Sequence, residues 1–224
     1  MTVTTDYQDA GLPPMPQGPP AQHSSRRRTP RWVPVLIGAL AFVLVLAGVG
    51  LVAADWFARN SEMNTLIQRV VVSETAMGQT QNEIEAAFAE YDSKTATLTA
   101  EQKAALAVKL KAAATAGQQR IASAGEGVRT VQLMPWHGDI AAAQRAYVTH
   151  NRAWQDYMAA AEKDPAELLA DQPEVNDTFN AAEPLMKQAV PKPPLFDLER
   201  RVADIFTSGQ AQPDFPTQEA LLRR

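Results

Sequence analysis

The sequence predicts an all-α protein: a single N-terminal transmembrane helix, then an extracytoplasmic antiparallel helical bundle of three long helices plus shorter C-terminal helices. Three observations carry this expectation. An uncharged apolar run of 22 residues extends from Val33 to Ala54. A proline-free interval of 100 residues, rich in Ala, Glu, Gln, Lys and Leu, separates Pro34 from Pro135, as long helices require. Beyond the apolar run, large apolar side chains recur every seven residues, the period of helices packed side by side.

Residues 1–32 form the first segment. Met1 to Arg31 holds six prolines and only Val3, Tyr7, Leu12 and Met15 as sizeable apolar side chains. Such a stretch cannot bury enough surface to offset its ordering entropy, so a disordered cytoplasmic tail is expected. Pro13 to Pro16 also fits a docking motif for a proline-recognising domain, although proline-rich linkers are the commoner use of this composition.

Residues 33–54 follow. As a helix, 22 residues reach roughly 33 Å against a hydrocarbon core of about 30 Å. Pro34 falls in the first turn, where its missing N–H costs little. Trp32 and Trp56 bracket the run as interfacial aromatics, and Arg26, Arg27, Arg28 and Arg31 precede it while Asp55 and Glu62 follow. The positive-inside rule then places the N-terminus in the cytoplasm and the larger part of the chain outside. A cleaved export signal is the competing reading, because Val52, Ala53 and Ala54 offer small residues before Asp55. The run is longer than the 7 to 15 residues usual for such a signal. Gly50, Ala54 and Ala58, each four apart, also suit a small-residue contact between membrane helices.

Residues 55–207 make the outer domain. The first helix is expected to continue to about Tyr91, with Met63, Val70, Met77, Ile84 and Tyr91 on one face and Ile67 and Phe88 at intermediate positions. Thr99 followed by Gln102 matches a capping box and opens a second helix, with Leu106, Leu110, Ala113, Gly117 and Ile121 on its face and Gly125 and Gly127 expected to end or fray it. A third helix begins near Asp139, carrying Ile140, Tyr147, Trp154 and Ala161 with Ala143, His150 and Tyr157 between them. Asp164-Pro165 and Asp171-Gln172-Pro173 read as further helix starts. Val175, Phe179, Ala182 and Met186 form the face of a fourth helix that Pro184 should kink or split. A last segment, Leu195 to Thr207, precedes a loose tail over 208–224.

The chemistry is sparse. The chain has no cysteine and three histidines, which excludes disulfides, thiolate metal sites, iron–sulfur clusters and thiol catalysis. No glycine-rich phosphate loop, His-Glu-x-x-His, Gly-x-Ser-x-Gly or Glu-x-x-His spacing occurs, so neither a cofactor, a metal nor an enzymatic activity is expected. Of 21 basic and 25 acidic residues, four and two precede residue 55, leaving 17 against 23 in the outer region. That balance opposes nucleic-acid binding. His137 and Asp139 beside Trp136 are expected to be a solvated imidazole and a helix cap.

One constellation stands out. Glu74 and Gln81 interrupt the apolar stripe of the first helix and His150 interrupts that of the third, and height counting sets His150 within about a turn of Glu74. Gly117 is expected nearby, leaving a gap for a small ligand. Facing each other, the two groups would raise the histidine pKa and lower the glutamate pKa relative to unpaired burial. The alternative is a polar layer that fixes helix register, or a wider face from which both groups reach water. Tyr147, Trp154 and Tyr157 read as core packing, with a sugar or lipid pocket as the alternative.

The layout of basic-ended proline-rich tail, one span and alanine-rich helical outer domain resembles single-pass envelope proteins of high-GC Gram-positive bacteria. That resemblance implies a tethered domain outside the cytoplasmic membrane. The outer part also looks like the helical ligand modules of bacterial receptors, which return to the membrane through a second span; nothing after Trp56 is apolar enough to do so. The expected partners are the lipid bilayer through residues 33–54 and an envelope protein or a second copy of this chain. A small-molecule or pH-responsive module at Glu74 and His150 is the second expectation.

Overall fold

The computed structural model describes residues 32–92, 98–170 and 172–208. Among the described residues every element is helical, as expected. In chain order they are α1 (Trp32–Asp92), α2 (Ala100–Arg129), α3 (Gly138–Lys163), a 3-10 turn (Pro165–Leu169), α4 (Pro173–Ala189) and α5 (Leu198–Ser208). The proline-rich tail with Arg26, Arg27, Arg28 and Arg31, the Tyr91 side chain, Asp171 and the C-terminal tail lie outside the described residues.

The chain divides into two compact units, Met1–Ala47 and Gly48–Arg224, with the boundary inside α1. The described part of the first unit is the apolar start of α1. Val35, Leu36, Ile37, Leu40, Phe42, Val43, Leu44, Val45 and Leu46 are all more than half exposed, as are Val49, Leu51 and Val52 just beyond the boundary. This is the one helix among the described residues that is long and apolar enough to cross a membrane. Its apolar window is wholly unburied, which distinguishes it from the core helix of a soluble domain.

In the second unit the seven-residue stripes form the core. Met63, Ile67 and Val70 of α1 join Ile140, Ala143 and Tyr147 of α3, Phe179, Ala182 and Met186 of α4, and Leu198, Val202, Ile205 and Phe206 of α5. A second cluster gathers Met77, Ile84 and Phe88 of α1, Leu106, Leu110, Ala114 and Ile121 of α2, and Trp154, Tyr157 and Met158 of α3. Polar contacts fix the directions: Arg120 reaches back to Glu83 while Lys109 meets Glu90, so α2 runs down against α1. Arg59 pairs with Asp139 and Glu74 with Tyr147, so α3 runs up alongside it.

Local starts follow the sequence closely. Thr99 accepts from the Gln102 amide and the Gln102 side chain accepts from the Thr99 amide, completing the capping box. Asp164 caps the segment opened by Pro165, which closes as a 3-10 turn. Four expectations are corrected. Gly125 and Gly127 do not end α2, which runs on to Arg129; a Cβ at Gly125 would stand 2.0 Å from Asn151 Oδ1, so this glycine lets α2 close on α3. Ala114, rather than Ala113, is the fully buried alanine of that face. Pro184 does not split α4, which runs through it from Pro173 to Ala189. The last helix starts at Leu198, because Phe196 and Asp197 take positive φ (60° and 52°) in the turn before it.

Candidate functional site

Glu74 and His150 do come together. His150 Nε2 lies 3.9 Å from Glu74 Oε1, a contact too long for a hydrogen bond. Glu74 Oε1 instead accepts from the Tyr147 hydroxyl. His150 Nδ1 lies 3.2 Å from Thr178 Oγ1, while that hydroxyl donates to the Glu174 and Val175 carbonyls. Thr178 is thereby an acceptor for the ring, which puts the imidazole proton on Nδ1 and leaves Nε2 bare toward Glu74. Tyr147 and Phe179 flank the ring, with centroids 5.6 and 5.1 Å away.

This setting corrects the expected ionisation. Burial pushes the His150 pKa down from 6.5 to about 4, against a smaller upward pull from a hydrogen bond to the Val175 backbone. Burial likewise raises the Glu74 carboxyl above its ordinary range, with the Tyr147 hydroxyl pulling the other way. With His150 uncharged near neutral pH, the two groups face one another as polar neighbours rather than as an ion pair. At 3.9 Å the attraction between charges does not overcome the loss of water.

Gly117 does not belong to this site. It packs against Thr80, whose Cγ2 would stand 2.2 Å from a Cβ there. Height counting gave the right level but the wrong side of α1. The space beside Glu74 and His150 opens toward α4 and α5, a cavity of about 450 Å³. Gln81, Asn176, Phe179 and Arg201 are among the side chains that line it. Gln81 interrupts the stripe as expected, at the rim.

The residue that most departs from expectation is His137. It is fully buried, with Nδ1 2.7 Å from Glu62 Oε2 and Nε2 3.1 Å from Asp55 Oδ1. Trp136 Nε1 donates to the same Asp55 oxygen and the Met134 amide to Glu62 Oε1. The imidazole therefore ties the α2–α3 loop to the start of the packed half of α1. Burial alone would lower its pKa, but the two carboxylates outweigh this and raise it above 6.5. Asp139, expected to cap α3, instead pairs with Arg59, and His137 occupies the cap position without a side-chain cap bond. Asp55 and Glu62 lie seven apart on one face, a spacing that could have flagged a basic or imidazole partner.

Trp56 is half-buried, and its indole N–H donates to the Pro193 carbonyl at 3.0 Å. Trp32 is 62% exposed. Sequence reasoning also missed Asn151, which donates to Ser73 Oγ at 2.7 Å and accepts from Gln155 at 2.6 Å. Leu66, Ser73, Thr80 and Ala87, all buried and seven apart, form a second stripe of α1, along which Ser73 meets Asn151 of α3 and Thr80 meets Gly117 of α2. No buried side-chain polar atom among the described residues lacks a partner. In comparisons with known proteins, no family model, no curated protein and no solved structure matches this chain.

Proposed function

We propose that the chain is a single-pass bacterial envelope protein that holds a non-catalytic helical bundle outside the cytoplasmic membrane for an envelope protein partner. One observation carries this reading: α1 is unbroken from Trp32 to Asp92, wholly exposed and apolar in its first part and packed into the core in its second. An apolar surface of that length in water is unfavourable by tens of cal/mol for each Å² and calls for a lipid environment. The arginines before it and the acids after it favour an outward-facing bundle. The paired and hydrogen-bonded polar groups of the interior suit a scaffold that fixes helix register.

The absence of native cysteine allows a direct test. Ser24→Cys in the tail and Val108→Cys on the exposed face of α2 are to be probed in intact cells with a membrane-impermeant maleimide. Labelling of Val108→Cys in intact cells, with Ser24→Cys reacting only after lysis, is expected. The opposite pattern, or equal labelling of both, would rule the topology out.

A second reading rests on the cavity beside Glu74 and His150. Its mixed lining of aromatic rings, Gln81, Asn176 and charged groups such as Arg201 suits a small molecule with an apolar body and a polar end. Melting of the full chain in detergent against cell-wall fragments, lipids and small metabolites tests it. A saturable rise that His150→Gln abolishes is expected for a ligand site, whereas a flat panel leaves the scaffold reading alone.

A further inference from the structure

Around the turns of α1 that follow Ala54, the second unit carries a surface that the packing of the helices does not explain. Two loops are fastened there to the first turns of α1 beyond Ala54. The loop between α2 and α3 is held by Trp136 to Asp55, by His137 to Asp55 and Glu62, and by the Met134 amide to Glu62. The loop between α4 and α5 is held by Trp56 to the Pro193 carbonyl and by the Leu195 amide, which donates to Asn60 Oδ1 at 2.7 Å. Yet these anchored loops expose large apolar side chains: Met134 is 43% exposed, Trp136 67% and Phe196 50%, with Phe57 of α1 beside them on the helix at 57%.

Backbone anchoring and side-chain exposure pull in opposite directions unless something covers the apolar groups. Phe196 sharpens the point, since it is held at φ 60°, where a bulky residue is rarely found, while its ring is half exposed. The acids of this end are engaged by neighbouring groups, and Asp197, exposed beside Phe196, lies 3.7 Å from Arg200. Asp55 accepts from Trp136 and contacts His137, Glu62 contacts His137 and the Met134 amide, and Asp139 pairs with Arg59. The Trp136 indole N–H is bonded while the ring faces outward, the amphipathic use of tryptophan typical of the headgroup layer.

We propose that these two loops form a seat that rests on the phospholipid headgroup layer, with Met134, Trp136 and Phe196 entering it, so that the helical domain stands directly on the bilayer. The occupant is lipid because the seat is fixed to Asp55, the residue that follows the apolar run of α1. This inference rests on reading residues 33–54 as a span, and the experiment separates the two.

Single-cysteine variants Met134→Cys, Phe196→Cys, Val108→Cys and Leu40→Cys of the full chain are labelled with bimane and reconstituted in phosphatidylcholine vesicles carrying a nitroxide lipid at shallow or deep position. Val108 lies on α2, about 30 Å of helix before Arg129. Leu40→Cys is expected to lose its emission chiefly to the deep nitroxide, Met134→Cys and Phe196→Cys chiefly to the shallow one, and Val108→Cys to neither. If Leu40→Cys is quenched while Met134→Cys and Phe196→Cys behave like Val108→Cys, the span stands and the seat is overturned. If Leu40→Cys is not quenched by either lipid, the span reading fails and the seat with it.

Discussion

His137 and His150 share a residue type and little else, and their surroundings set opposite responses to pH. For His150 the folded pKa of about 4 lies below the unfolded value near 6.5. As pH falls from 6.5 toward 4 the unfolded chain takes up a proton that the folded one refuses, so stability is lost over that window. The difference amounts to roughly 3 kcal/mol at full extent. His150→Gln, which keeps a hydrogen-bonding side chain, is expected to flatten the fall in stability between pH 6.5 and 4.5, read by urea denaturation of the detergent-solubilised chain. An unaltered slope would mean that the ring is not buried as described.

His137 runs the other way. Its folded pKa is raised, so its contribution is fully present below pH 6.5 and fades as pH rises through the folded value. His137→Ala should cost more stability at pH 6 than at pH 8.5. Where the protein is protonated, the loss should fall at about 1–3 kcal/mol, because Glu62 loses a charged partner. Equal losses at the two pH values would show that the imidazole is held only by packing. Neither environment was legible in full. The position of His150 follows from its place in the stripe Tyr147, His150, Trp154. The burial of His137 depends on two acids 75 and 82 residues away, which no local pattern announces.

At the level of the single helix, starts were legible because caps and prolines act locally: Thr99 with Gln102 and Asp164 with Pro165 mark real starts. Glycines were misread because their role here is close approach between helices, a property of the neighbour rather than of the segment. This yields an ordered series. Gly125→Ala would force its Cβ onto Asn151, which is pinned by Ser73 and Ile121, and Gly117→Ala would force its Cβ onto Thr80, which bonds Ala76 and Arg120. Each should destabilise by about 1–3 kcal/mol despite the better helix propensity of alanine. Gly78→Ala meets nothing within 4 Å and should stabilise by roughly 0.5–1 kcal/mol. Thermal melts followed by circular dichroism give the ranking. A stabilised Gly125→Ala would mean that α2 and α3 do not meet there.

On the scale of the whole molecule, the apolar run and the packed stripes belong to one helix, α1. The described residues of the seven-residue stripes read from sequence lie in the core, since Met63, Val70, Met77, Ile84, Ile140, Tyr147, Trp154 and Ala161 are all buried. What lay beyond sequence reasoning was the lateral arrangement. Height along a helix can be counted, but the side on which a neighbour sits cannot, which is why Glu74 and His150 meet and Gly117 does not join them. The same limit hid the cavity beside Glu74 and His150, whose walls come from α1, α3, α4 and α5.

A tethered bundle requires that residues 33–54 remain in the chain as a membrane anchor. The measurement that tests it most directly is the intact mass of the full chain, recovered from membranes of the expressing cells after an alkaline carbonate wash. A species retained in the membrane at 24.4 kDa is the expected result. A species lacking the residues up to Ala54 and released by the wash would contradict it, and would make the helical domain a secreted protein.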